Sequence, residues 1–285
     1  MNLDKIGKWN ISILETGDFR LDGGAMMGSV PKALWNKTNP ADSDNRIDLA
    51  MRCLLLDDGK NVILIESGIG DHYPEKFNKM FHIKQSNNAL SNTLSKVNYN
   101  IKNITHVILT HLHFDHAGGG VLRKNNGRML PKFPNAKYYV SKSNWEAAIN
   151  PSPKDRASYL KENFLCLKEN NVLEIIPDNS IILDGIETYA VNGHTHGQQL
   201  IKVSDESTTL VFCSDLIPLK SHIKLPWIMG YDLNAELTLE EKEIFLNKAS
   251  KEDWILFFYH DPQTVAVKIK KTDKYFQIID EYKRR

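Results

Sequence analysis

The 285-residue sequence predicts an α/β sandwich of two mixed β-sheets with helices on the outside. Short apolar runs arranged as hairpins occur near both ends of the chain, and segments with helical periodicity lie between them. The turn Asp58-Gly59 separates two such runs in "LDDGKNVILIE", which is a strong hairpin signal. A doubly wound parallel sheet would alternate strand and helix more strictly. We expect residues 1–285 to form one domain.

Ten runs rich in Ile, Val, Leu and aromatic residues predict the strands. Each run is bounded by Asp, Asn, Gly or Pro, which favour turns. The runs are 9–15, 49–56, 61–66, 104–109, 137–140, 172–176, 186–191, 199–203, 208–213 and 254–259.

Three segments between these strands predict helices. In 86–97, Ser86 is a candidate cap, and apolar residues recur on one face. Thr238 and Glu241 form a candidate capping box before another periodic segment. The segment 153–168 also carries apolar residues at helical spacing.

Residues 17–48 are rich in glycine and turn-forming residues and show no clear periodicity. A segment of this length inside a compact domain is usually a functional loop or a disordered one. We predict a packed loop, because several of its residues are too apolar to be left in water. These residues are Met26, Met27, Val30, Leu34 and Trp35.

The composition argues against some partners and compartments. Lys and Arg total 36 and Asp and Glu total 35, so the formal net charge of +1 gives no basis for nucleic acid or an anionic membrane as the main partner. Three widely spaced cysteines and an N-terminus without an apolar signal segment predict a cytoplasmic protein. No apolar run approaches the ~20 residues of a membrane span.

The densest cluster of titratable residues is "THLHFDH" at 110–116, directly after a predicted strand. His111 and His113 are two residues apart, so in extended backbone they point to the same side. Asp115 and His116 follow in a turn that leads into three glycines, which allow tight bending and close approach. A solvated polar turn is the alternative. Imidazoles and a carboxylate converging at a strand end favour a metal site, since unliganded they would lack partners.

Further candidate ligands follow later strands. His194 and His196 come after the strand at 186–191, and Asp215 comes after the strand at 208–213. His260, or alternatively Asp261, ends the run 254–259. Each polar residue comes at the end of a β-run, where we expect the side chains of an active site to gather.

With these motifs, the chain resembles the metallo-β-lactamase-fold hydrolase superfamily over about residues 59–260. The resemblance rests on His-x-His-x-Asp-His followed by a distant His, Asp and His, and it implies a four-layer αββα sandwich with a dinuclear metal centre. It implies that one metal ion is held by His111, His113 and His194, and the other by Asp115, His116 and His260, with Asp215 as the bridge. His194 is preferred because "GHTHG" matches Gly-His-Thr-x-Gly, which leaves His196 as a pocket residue, an outer residue or an exposed one.

Three further segments narrow the resemblance to YtnP-like quorum-quenching enzymes, in the N-acyl-homoserine lactonase branch. The segments are "DGGAMMGSVPKALW", "SGIGD" and "SDLIPLKSHIKLPW". The chain departs from the pattern of this family at two places. It has Glu66-Ser67-Gly68 where the family commonly has Asp-Thr-Gly, and it has Pro218 where some lactonases carry a pocket tyrosine.

The resemblance implies hydrolysis of a lactone or ester by a water molecule that two divalent metal ions activate. Zinc suits a His-rich site with a bridging carboxylate, and Mn, Fe and Co also fit. Asp115 would orient the nucleophile and transfer its proton, or serve only as a ligand. Met26, Met27 and Trp35 are predicted to contact an acyl or alkyl group, and the candidate oxyanion donors are His222, Tyr73 and Tyr259.

Several rival functions share the predicted ligands. A glyoxalase-II-like thioesterase and a phosphotriesterase are the enzymatic alternatives, and a ligand-binding relic of the fold is the non-enzymatic one. A β-lactamase would need export, a nuclease is disfavoured by the charge balance, and a redox di-iron protein usually adds a flavin domain. We therefore expect a small-molecule substrate, with a homodimer as a possible assembly.

Overall fold

Two seven-stranded β-sheets form the centre of the computed structural model, which describes residues 3–284. Met1 and Asn2, at the start of the N-terminal segment, lie outside the described residues. The first sheet has the order β1-β2-β3-β4-β5-β8-β9 and contains β1 (Lys5–Ile6), β2 (Trp9–Asp22), β3 (Arg46–Asp57), β4 (Val62–Ile65), β5 (His106–Ile108), β8 (Lys137–Ser141) and β9 (Leu173–Ile176). A separate small hairpin pairs β6 (Val121–Arg123) with β7 (Met129–Pro131).

The second sheet follows the chain from β10 to β16. Its strands are β10 (Ser180–Leu183), β11 (Ile186–Val191), β12 (Gln198–Ser204), β13 (Thr209–Phe212), β14 (Ile255–Phe257), β15 (Thr264–Lys271) and β16 (Phe276–Lys283). Strands β13 and β14 are parallel, whereas β11, β12 and β13 pair antiparallel. The first sheet also mixes both kinds of pairing, so the predicted mixed sheets are confirmed.

The helices lie outside the sheets or in the connections around the strand ends. They are α1 (Gly23–Met27), α2 (Lys32–Trp35), α3 (Glu75–Met80), α4 (Ala89–Lys96), α5 (Phe114–Ala117), α6 (Lys142–Ile149), α7 (Leu165–Glu169) and α8 (Ala235–Lys251). No helix within residues 3–284 combines the length and apolar character that a membrane span requires.

Three buried apolar clusters create the four layers. Alternate side chains of a strand point to opposite faces, so in β3 Leu54 and Leu56 enter the cluster between the sheets, while Leu55 faces outward. On the outer face of the first sheet, Leu94 of α4 and Trp145 of α6 are buried. Helix α8 covers the outer face of the second sheet in the same way. The predicted αββα sandwich is therefore confirmed.

The prediction of a loop over 17–48 is partly wrong. Strand β2 continues to Asp22 and pairs with β3 as far as Arg46, so the connection covers only 23–45. A shift in register between Glu15 and Gly17 breaks the apolar–polar alternation that would otherwise mark a continuous strand.

The predicted helix over 153–168 is wrong for most of its length, since only 165–168 are α-helical, as the start of α7. The segment forms turns and the 3₁₀ helix Lys161–Asn163 before α7 begins. Its backbone serves the neighbouring turn, because the Ser158 carbonyl accepts a hydrogen bond from the Phe114 N–H at 2.9 Å. Residues 153–158 thus form turns despite the helical spacing of the apolar residues in this segment.

Both predicted helix caps are misplaced. Helix α4 begins after Asn88, which adopts a left-handed conformation, so Ser86 does not cap it. Asn234 caps α8 through its side chain, and Thr238 therefore lies inside the helix. The Glu241 carboxylate accepts hydrogen bonds from the backbone N–H groups just before His194.

Candidate metal centre

The turn that carries the histidine cluster is held by backbone hydrogen bonds to both sheets. Leu109 donates to the Tyr139 carbonyl, and Gln199 donates to the Thr110 carbonyl. Glycine is required where the turn meets the chain after β4: a Cβ atom on Gly119 would lie 1.9 Å from the Ser67 carbonyl oxygen. The geometry therefore fixes the start of the ligand motif at the junction of the two sheets.

Three buried histidines converge on one point. The Nδ1 atom of His113 lies 3.0 Å from Nε2 of His111 and 3.3 Å from Nε2 of His194. His111 and His113 come from the turn after β5, whereas His194 comes from the turn after β11. Their ligand atoms lie close enough together to hold one metal ion.

A second group forms beside the first. The Asp115 Oδ2 atom lies 3.7 Å from Nε2 of His116 and 3.5 Å from Nε2 of His260. All three side chains are buried, and their ligand atoms also lie close enough together to hold one metal ion.

Asp215 lies between the two groups and divides its carboxylate between them. Its Oδ2 atom is 3.3 Å from Nε2 of His194 and 3.9 Å from Nε2 of His111. Its Oδ1 atom is 3.5 Å from Nε2 of His116 and 3.3 Å from Nε2 of His260. One carboxylate thus faces both histidine groups, which is the arrangement of a bridging ligand.

These side chains fit a pair of metal ions chemically as well as geometrically. Nε2 of His116 and Oδ1 of Asp215 are buried and make no hydrogen bond. A buried polar atom without a partner costs about 1–3 kcal/mol, so donor atoms in this state need a cation to satisfy them. Imidazole nitrogens with carboxylate oxygens are the ligands of first-row transition metals.

A cavity of about 240 Å³ opens on this centre. His113, Asp115, His194, Asp215 and His260 line its floor. The remaining wall is largely apolar and is formed by Leu21, Met26, Phe81, Phe114, Ala157, Met229, Gly230 and Tyr231, together with Lys154, Asp155 and Ser158. The candidate metal site therefore lies at the floor of a cavity whose wall is largely apolar.

The outer nitrogens of two candidate ligands are fixed by acceptors. Asp232 Oδ1 lies 2.8 Å from Nδ1 of His194, and the Ala50 carbonyl oxygen lies 3.0 Å from Nδ1 of His260. Because each Nδ1 faces an acceptor, each Nε2 is left to face the metal site. Asp232 gave no signal in the sequence, because it lies 38 residues from His194 in a turn-rich segment.

The family model of the metallo-beta-lactamase superfamily matches this sequence over residues 50–260. This range contains all seven side chains of the centre. The chain belongs to the metallo-β-lactamase superfamily. Its buried histidines and aspartates identify it as a metal-dependent hydrolase of this superfamily.

Relatives within the superfamily agree with this assignment. An N-acyl homoserine lactonase from Bacillus cereus is 28% identical over 229 residues, which cover 76% of this chain and 83% of the relative. The structure of a probable metal-dependent hydrolase from Staphylococcus aureus matches with a TM-score of 0.90 and 28% identity, over 99% of both chains. AidC, a dizinc quorum-quenching lactonase, shares the fold with a TM-score of 0.80 at 20% identity, over 99% of this chain and 97% of AidC.

Burial and nearby charges shift the pKa values of the histidines in this centre in different directions. Burial and neighbouring imidazoles lower the pKa of His111 and of His113 well below the usual value. Burial also acts to lower the pKa of His116, but three nearby carboxylates outweigh it and raise that pKa well above the usual value. For His194, the hydrogen bond with Asp232 helps to outweigh burial, and the pKa is raised. Protons therefore compete with a metal ion for His116 and His194.

The residues predicted to contact the substrate differ in whether they line the cavity. Met26 lines the cavity, but Met27 and Trp35 are buried away from it, because successive side chains of α1 point in different directions and Trp35 packs against Gly23. His222 does not line the cavity either. Its Nε2 atom lies 2.9 Å from the Met26 carbonyl oxygen, so it holds the backbone of the cavity wall.

The other two candidate oxyanion donors make hydrogen bonds within the protein. The Tyr73 hydroxyl donates to Asn163 and the Tyr259 hydroxyl donates to the Asp115 carbonyl, and neither residue lines the cavity. His196 is exposed, and Leu34 is 51% exposed, which contradicts its prediction as a packed residue. Tyr231 and Lys154 line the cavity, although nothing in their sequence surroundings indicates this.

Proposed function

We propose that this hydrolase opens the ring of a lactone, as an N-acyl homoserine lactonase does. The carrying observation is the apolar cavity that opens directly on Asp115, Asp215 and the histidines. The similarity to N-acyl homoserine lactonases, at 28% identity over 76% of the chain, supports the same substrate class.

The seven side chains would hold two divalent metal ions, which in this class of site activate a water molecule and polarise a carbonyl group. Zinc suits the histidine and carboxylate donors, and Mn, Fe and Co are alternatives. His111, His113 and His194 would bind one ion, while Asp115, His116 and His260 would bind the other. Asp215 would bind both, because its two oxygens face different groups.

Asp115 has a second role in the proposed reaction. Its carboxylate belongs to the second ligand group and also lines the cavity. It is therefore placed to accept the proton that the attacking water loses and to return that proton to the alkoxide that leaves the ring. The ring C–O bond breaks as the new C–O bond forms, and the product is a hydroxy acid.

The cavity wall selects the substrate in this proposal. Met26, Met229 and Phe114 present apolar surface beside the ligands, and flexible methionines adapt to irregular acyl groups. A cavity of about 240 Å³ suits a small molecule and not a folded polymer. A small-molecule substrate with an acyl or alkyl group is the partner that this wall favours.

A substrate panel tests the proposal. Metal-loaded protein would be assayed against acyl homoserine lactones of short and long chain, a glutathione thioester and a phosphotriester, with Asp215→Ala as the inactive control. We expect the highest kcat/KM on a lactone, with the hydroxy acid identified by mass spectrometry. A preference for the thioester or the phosphotriester by tenfold or more would reject lactone opening in favour of that reaction.

A further inference from the structure

A buried polar network lies behind the metal centre and is centred on Glu66. This residue follows β4, is 0% exposed, and has a positive φ of 65°. Its Oε1 atom accepts hydrogen bonds from the Thr110 backbone N–H at 3.2 Å and from the Thr110 hydroxyl. The same oxygen lies 3.2 Å from Nδ1 of His116. Glu66 does not line the cavity, so it has no direct route to a substrate.

The Thr110 hydroxyl extends this network to a second histidine. Its oxygen lies 3.0 Å from Nδ1 of His111 and 2.7 Å from Oγ of Ser214. A hydroxyl has one proton and two lone pairs, and here the proton is given to Glu66. The oxygen must therefore accept from its other two neighbours, which assigns a proton to Nδ1 of His111. Nε2 of His111 is then the atom with the free lone pair, and it faces His113 and Asp215.

His116 lies against the same carboxylate. Its Nδ1 atom is buried without a hydrogen bond and lies 3.2 Å from Oε1 of Glu66, within ion-pair distance. Because a carboxylate has no proton to give, this contact favours the tautomer with the proton on Nδ1. Nε2 then presents its lone pair to Asp115 and Asp215. His111 belongs to the first ligand group and His116 to the second, yet both depend on one acceptor.

We propose that Glu66 is a positioning residue shared by both metal sites, holding His111 through Thr110 and His116 directly. His194 and His260 are held independently, by Asp232 and by the Ala50 carbonyl. Removing the Glu66 charge should therefore weaken both sites, whereas removing the Thr110 hydroxyl or the Asp232 charge should weaken only the first. The proposal rests on the metal centre and not on the choice of substrate.

Three atoms in this region, from Glu66, His111 and His116, also lie close enough together to suggest a metal position. The Thr110 hydroxyl bonds to both Glu66 and His111, however, so two of these three residues are already linked through hydrogen bonds. Glu66 therefore acts on the ligands from outside the metal sites.

Metal affinity tests the proposal. Metal-free wild type, Glu66→Gln, Thr110→Val and Asp232→Asn would be titrated with Co²⁺ against a competing chelator, following the visible absorption of each site. The spectrum of His260→Ala, which keeps the first group complete, assigns the bands. Loss of an outer partner of a metal-bound histidine typically weakens metal binding by about 10–100-fold. We expect this loss at both sites in Glu66→Gln and at the first site alone in Thr110→Val and Asp232→Asn.

Circular dichroism and the melting temperature of the metal-free variants separate positioning from folding. A Glu66→Gln protein that folds and changes affinity at one site or at neither would overturn the proposal. If Glu66→Gln does not fold, Thr110→Val decides: unchanged affinity at the first site overturns the proposal, and selective loss there supports it. Failure of lactone turnover in the substrate panel would leave these affinities unaffected, so the two proposals fail separately.

Discussion

Replacing His194 or its near neighbour His196 by alanine gives a matched test of the ligand assignment. Both histidines lie in "GHTHG", but His194 is 4% exposed and its Nε2 lies 3.3 Å from Asp215 Oδ2, whereas His196 is exposed. His194→Ala removes one of three nitrogens from the first site and also leaves the buried Asp232 carboxylate without its partner.

The size of the effect follows from these contacts. Loss of an outer partner alone costs about 10–100-fold in metal affinity, so loss of a direct ligand should cost at least ~100-fold. Two decades of affinity correspond to about 2.7 kcal/mol, which in a chain of this size lowers the melting temperature by roughly 4–5 °C under saturating metal. His196→Ala should change stability by less than about 0.5 kcal/mol, as an exposed substitution does.

Two measurements would be made on each variant: metal ions per chain by plasma mass spectrometry, and melting temperature with and without a chelator. We expect His194→Ala to lose the metal ion of the first site and the chelator-sensitive stability that this ion supplies, and His196→Ala to match the wild type. Equal or greater metal loss in His196→Ala would refute the assignment of His194, and with it the register of the first site.

Three further predictions concern the pocket, a buried lysine and the metal. Met26→Ala should lower the ratio of long-chain to short-chain lactone turnover and Met27→Ala should leave it unchanged, because of the two only Met26 lines the cavity. Both side chains are buried in the core between the sheets, so each substitution should cost about 2–5 kcal/mol, and the turnover ratio is what distinguishes them. Burial lowers the pKa of Lys242 to about 7, so between about pH 7 and pH 10.5 this lysine takes up a proton when the protein unfolds. The free energy of unfolding should therefore rise by a few kcal/mol from pH 7 to pH 10.5, relative to the Lys242→Met variant. Parallel curves of unfolding free energy against pH for the two proteins would contradict this. Chelation should lower the melting temperature, since an ion present at 100 times its Kd contributes about 2.7 kcal/mol, and no shift would argue against bound metal.

The candidate ligands could be predicted from the sequence because each follows an apolar run at the end of a strand. One short motif contains His111, His113, Asp115 and His116. Because these residues are close in the sequence, they must also be close in the folded structure. The sandwich could be predicted for a similar reason, since alternation within strands and spacing within helices reflect which faces are buried.

The surroundings of the centre could not be predicted in the same way. Glu66 was visible in the sequence only as a departure from Asp-Thr-Gly, and its contact with His116 depends on the pairing of β4 with β5. Tyr231 and Lys154 reach the cavity through turns whose conformation is set by tertiary contacts. Met26 and Met27 are adjacent and chemically identical, so only the direction of α1 decides which of them lines the cavity.

The paired metal centre can be observed by anomalous X-ray diffraction from crystals of the metal-loaded protein, with data collected on both sides of the metal absorption edge. We expect two anomalous peaks roughly 3.5–4 Å apart, one among His111, His113 and His194, the other among Asp115, His116 and His260. The Asp215 carboxylate should lie between the peaks, with one oxygen toward each. A single peak under saturating metal, or a peak among Glu66, His111 and His116, would contradict the paired centre on which the proposed hydrolysis depends.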